Sequence, residues 1–179
     1  MSFTRTIALF ALLFAGCATA PRTPAQRDSL RQSAEATLGE MIAHNPNIED
    51  VIHKVPAYAV FPSIGKGGVL VGGAYGRGIL YEGGVATGYV SLEQASIGAQ
   101  LGGQSFAELL VLRNADDIQA LKGGRYTAGA NLGVVVLGAG ASKEASFDPD
   151  SSVFVMPRGG LMVDISISGQ RLNYSSFNA

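Results

Sequence analysis

The apolar residues of this chain change their spacing at Ala57, and that switch limits the fold more than any other feature. Ahead of it the spacing is helical. Leu30, Ala34, Leu38, Met41 and Ile42 form one stripe, which predicts an amphipathic helix over residues 29–43, ended by Asn45-Pro46. Asn47 is expected to cap a second, short helix with the stripe Ile48, Val51, Ile52 and Val55, its first turn carrying Glu49 and Asp50, where the helix dipole favours them.

From Ala57 onward the spacing is two, the period of strands. Short strands are expected at 58–61 and 69–71, separated by the turn-rich stretch 62–68, and then at 79–81 and 85–92. A long strand over 96–112 is expected to bend at Gly102-Gly103. Asn114 caps one further helix, 115–122, stopped by Gly123-Gly124. Strands resume at 126–131, 133–137 and 153–156. Leu161, Val163, Ile165 and Ile167 then alternate with polar residues up to a two-residue hairpin loop, Gly169-Gln170, which sets Ile167 opposite Leu172 and Ile165 opposite Tyr174. The expected fold is α+β: mainly antiparallel β, a twisted or partly closed barrel-like sheet, with N-terminal helices packed on one side and one further short helix.

Glycine is abundant, 24 of 179 residues, but without a period of three, and 47% of the chain is apolar, so neither a collagen-like nor a disordered chain fits. A net charge of −1 gives no basic field, which argues against nucleic acid as a partner. Residues 126–142 carry no charge, yet four glycines interrupt them, and buried strands account for them better than a membrane span.

The single cysteine, Cys17, follows the apolar run 7–15, which in turn follows Arg5. That run has the length of a signal-peptide core. Ala15-Gly16-Cys17 resembles a bacterial lipoprotein cleavage box, with Phe14 where leucine is usual. The expected division is therefore a signal peptide over 1–16, a lipidated tether over 17–28 and a folded domain over 29–179. Cys17 is the expected acyl attachment point. Ala18 is not the aspartate that commonly retains such proteins in an inner membrane, so the expected location is the outer membrane, lipid-anchored, facing the periplasm or the surface.

Three catalytic motifs fail on inspection. Ser63-Ile64-Gly65-Lys66 has Ser-x-x-Lys spacing, but Pro62 and three glycines oppose the helix that would carry lysine back to serine. Gly103-Gln104-Ser105-Phe106-Ala107 lacks the closing glycine of a nucleophile elbow, and both histidines, His44 and His53, precede it. Gly65-Lys66-Gly67-Gly68 has Val60 where a Walker loop needs its first glycine and Gly67 where it needs Ser or Thr. No catalytic residue, cofactor or metal site is expected.

Lys54, Lys66, Arg77 and Arg158 remain, each beside a glycine-rich turn or an element end, where loop N–H groups and a cation can cradle a phosphate. On residue types alone, ordinary solvated surface is the stronger account of four scattered cations. The stretch Ala59-Val60-Phe61-Pro62-Ser63-Ile64-Gly65-Lys66-Gly67-Gly68 resembles the opening of the SYLF domain, and residues 71–78 continue it. Residues 96–104 resemble that family's G-x-Q-x-G strand, 108–113 its apolar continuation, and Gly129-Ala130-Asn131 a later G-A-D block with asparagine for aspartate. Gly160-Leu161 with Gly169 resembles its close, with Gly159 in the usual lysine position. Ala86-Thr87-Gly88-Tyr89 stands where many members have W-S-x-P, and the chain has no tryptophan.

The resemblance implies lipid binding without catalysis, with phosphoinositides or actin as the eukaryotic and fungal ligands. For a chain with a bacterial-type lipid anchor, the expectation becomes a phospholipid membrane, with the four cations as headgroup candidates. The alternative expectation is an envelope scaffold whose partner is another protein.

Overall fold

A computed structural model describes residues 19–69, 71–97, 102–128, 134–137, 153–160 and 169–178. The chain enters through helix α1 (Pro24–His44), which starts earlier than the apolar stripe alone predicts. The reason is local. The Thr23 hydroxyl accepts a hydrogen bond from the Gln26 N–H, the Gln26 side-chain oxygen accepts one from the Thr23 N–H, and Pro24 fills the first helical position. Residues 24–28 are thus helix, and ahead of them Pro21 is buried and Ala20 packs on the core. Helix α2 (Asn47–Lys54) follows the predicted stripe. Asn47 is its first residue and not its cap, a place Pro46 takes without any side-chain bond.

Strands β1 (Ala57–Val69), β2 (Val71–Glu82), β3 (Val85–Ile97) and β4 (Gly102–Leu112) form the centre of the sheet. The glycine-rich stretch 62–68 is not a turn. It is the second half of β1, paired from Ser63 with β2 and from Ile64 with β4 after a bulge that follows Val60. Strand pairing on both sides supplies the order that glycine lacks on its own. The expected long strand over 96–112 is two strands, since β3 ends at Ile97 and β4 begins at Gly102. Gly83 and Gly84, with φ of 55° and 79°, make the tight β2–β3 hairpin that left-handed conformations favour.

Helix α3 (Ala115–Lys122) matches its predicted bounds, and the Asn114 side chain accepts from the Asp117 N–H at 2.8 Å. Strands β5 (Thr127–Ala128), β6 (Val134–Val136), β7 (Val153–Gly160) and β8 (Gln170–Ser176) complete the sheet, in the order β5-β8-β3-β2-β1-β4-β7-β6. All neighbours are antiparallel except β6 and β7. The expected hairpin arm at 161–168 lies outside the described residues, and β8 pairs with β3 and β5.

The fold is α+β, and the sheet is open and not closed into a barrel. Its two faces have separate cores. Tyr58, Val60, Ile79, Tyr81, Tyr89, Leu109, Phe154 and Met156 meet Ala34 and Met41 of α1 and Ile48 and Val51 of α2. The other face gathers Ala59, Phe61, Ile64, Leu80, Leu92, Phe106, Leu110, Val155 and Leu172, with Leu121 of α3. This second face is concave. Its Gly78 leaves no room for a methyl group, because a Cβ there would press on the Val60 carbonyl and the Phe61 ring.

Candidate functional site

The bulge in β1 decides where the cations point. Before it, odd-numbered residues such as Ala59 and Phe61 face the concave side; after it, Ile64 does. Lys66, two residues on, therefore falls on the concave face, only 4% exposed, in register with Ala74 of β2 and Gln104 of β4. Gln94, paired with Ala74, extends this buried polar row across β3.

Arg77 lies on the opposite, helix-covered face, level with Ser63 and Ser91. Its guanidinium carbon stands 5.6 Å from the centre of the Tyr75 ring. Arg158 is committed to α1: it donates to the Thr37 hydroxyl at 2.8 Å and forms an ion pair with Glu40. Lys54 is exposed at the end of α2, near the start of β1; Lys66 is nine strand residues further on, about 30 Å at the usual rise. The four cations are thus distributed over both faces and both ends of the sheet and form no common cradle.

Arg77 alone of the four lines a sizeable groove. A cavity of about 700 Å³ runs between α1 and strands β1 and β2. Ala25, Gln26, Ser29, Leu30 and Ser33 form its helical wall, Pro62, Ser63, Gly65, Tyr75, Gly76 and Arg77 its sheet wall, and Pro21 one end. Ser29 and Ser33 are four apart on α1 and so share one face. Three serine hydroxyls, one carboxamide and one cation accompany Leu30, Pro62 and Tyr75, and none of the described lining residues is acidic. The volume lies in the range of small-molecule sites, and the chemistry suits an anionic group attached to an apolar body. A shallower depression of about 450 Å³ adjoins it across Gly65, lined by Lys66, Gly103, Gln104, Ser105 and Gly159.

The motifs set aside in the sequence take no catalytic geometry here. Ser63 and Lys66 sit on opposite faces of one strand, out of reach of each other, and Ser105 lies within β4 without a strand-to-helix turn. The sequence did not single out Tyr75, Ser29 or Ser33. The Thr23-Pro24-x-Gln26 start signal was legible, and reading it would have extended the expected helix from Ser29 back to Pro24 and added Ala25 and Gln26 to its face.

Comparison with known families bears on the second half of the chain. Residues 93–176 match the Ysc84 family, described as Las17-binding protein actin regulator. The match is consistent with a SYLF domain. The Ysc84 stretch begins within β3 and ends with the last residue of β8. It contains Arg158 and the Glu108–Gln170 pair, whereas the groove and Arg77 lie ahead of it. None of the curated proteins compared with the chain matches it.

Proposed function

We propose that this protein is a non-catalytic envelope lipoprotein, acylated at Cys17 and held at the outer membrane, whose SYLF-type domain binds phospholipid. The observation that carries the reading is the groove beside α1, where Arg77 stands among serine hydroxyls and apolar walls, with no carboxylate among the described lining residues. Arg77 takes the phosphate, Ser29, Ser33 and Ser63 donate to headgroup or ester oxygens, and Leu30 and Pro62 receive the start of an acyl chain. Lys66, beneath the adjoining depression, adds positive potential from the other face. Lys54 and Arg158 have lesser parts, the first by distance and the second because Glu40 already neutralises it.

Flotation of the mature, unacylated chain with vesicles of phosphatidylglycerol and phosphatidylcholine tests this. Binding above a charge-matched control protein, reduced by Arg77→Gln, is expected. Binding no better than the control overturns the reading. A protein partner is the competing reading, favoured by the Las17-binding description of the matched family. A specific crosslinked protein that Arg77→Gln leaves in place would support that alternative.

A further inference from the structure

From Thr19 onward the chain is already attached to the domain. The Thr19 hydroxyl is 3.2 Å from that of Ser91, Ala20 packs on the helix-side core, and Pro21 is buried at the end of the groove. Only Ala18 stands between Thr19 and Cys17. Two residue steps span at most about 7 Å even when fully extended. Ser91 is moreover the β3 neighbour of Arg77, with both side chains on the helix-covered face, where paired Cβ atoms lie roughly 5 Å apart. The acyl-bearing residue is therefore confined to the neighbourhood of the groove and its cation.

We infer that the linkage from Cys17 works as a short leash that fixes the domain's orientation: the helix-covered face, at the Pro21 end of the groove, is pressed against the phospholipid surface, and α3 points away. This rests on acylation of Cys17 as proposed above, and goes further by assigning the membrane-facing surface. The charge at this end agrees with a phospholipid layer as the partner. Arg22 is exposed there, and Arg27 donates to the Pro21 carbonyl while lying over the Tyr89 ring; with Arg77 they outnumber the acids at this end, Asp28 and Glu93, the latter two residues along β3 from Ser91 on the same face. Each cation near an anionic bilayer surface adds attraction to it. A tether of ten or more flexible residues would leave the domain free to tumble; one residue does not. The groove then opens where headgroups are, and a lipid can enter it without leaving the leaflet.

The test uses the full acylated chain in phosphatidylethanolamine–phosphatidylglycerol vesicles. Nitroxide labels are placed through Ala25→Cys in the groove wall or Gln119→Cys on α3; acylation blocks Cys17, so each label has a single site. The expected result is faster relaxation of the Ala25→Cys label by oxygen than by a water-soluble nickel chelate, with the reverse at Gln119→Cys. Inserting twelve Gly/Ser residues between Ala18 and Thr19 should reduce that contrast at least two-fold. Equal water exposure of both labels, or a contrast that survives the insertion, overturns the leash while leaving lipid binding to be judged by flotation of the unacylated chain. Absence of an acyl mass on the Cys17 peptide overturns it through its premise.

Discussion

Gln170 of β8 donates from Nε2 to Oε2 of Glu108 of β4 at 3.0 Å, although β3, β2 and β1 stand between their strands. On a flat sheet four strand spacings would separate them by about 19 Å. The bond is possible because the sheet curls toward this face, and it ties the two wings together across the concavity. It also encloses a carboxyl: Glu108 is fully buried, and its Oε1 has no hydrogen-bond partner among the described residues.

That burial makes stability depend on pH. Desolvation raises the Glu108 pKa to about 7, against an opposing effect from the Gln170 hydrogen bond. Tyr126 faces the same carboxyl, but burial, Asp117 and Glu108 hold its own pKa at about 12, so it stays neutral. The unfolded chain releases the Glu108 proton first. Stability from this group therefore falls as pH rises from about 4.5 toward 7, by on the order of 1 kcal/mol per unit. Glu108→Gln should remove that fall. Thermal melts at pH 5 and pH 8 check it, and equal losses in both proteins would exclude Glu108 as the source.

Two glycine substitutions should act in opposite directions. Gly78→Ala drives a methyl group into the Val60 carbonyl and the Phe61 ring, where the backbone cannot yield, and should cost roughly 1–3 kcal/mol. Gly39→Ala, in the exposed interior of α1 with nothing within 4 Å of the new Cβ, should gain about 0.5–1 kcal/mol. Urea unfolding midpoints give both signs in one series.

Arg77 and Arg158 should separate binding from stability. Arg77→Gln removes the groove's charge and should weaken vesicle binding roughly ten-fold, the worth of one charge-assisted hydrogen bond. Arg158→Gln breaks the half-exposed pair with Glu40 and should cost about 0.5–1 kcal/mol of stability with little change in binding. Flotation and denaturant titration of both variants test this; the reverse pattern would move the headgroup site to β7.

Thr23→Ala should fray the first turn of α1 and cost about 1 kcal/mol, because it removes the acceptor for the Gln26 N–H. Faster amide exchange confined to residues near Gln26 is the expected readout. Unchanged exchange there would mean that packing of Pro21 and Leu30 holds the helix start without its cap.

The sequence by itself determined the local elements whose cause is local. Asn114 and Gly123 bracket α3 because capping acts over a few residues, and the apolar stripes announced α1 and α2 through a 3.6-residue period. It likewise determined that the body is strand-rich from Ala57 onward. Only the tertiary structure decided that residues 62–68 are strand, since glycine has no preference of its own and takes its order from neighbours on both sides. The tertiary structure also decided that Lys66 and Arg77 face opposite ways. One bulged residue inverts every side chain after it, and a bulge is set by how two strands pair, which no spacing along one strand records.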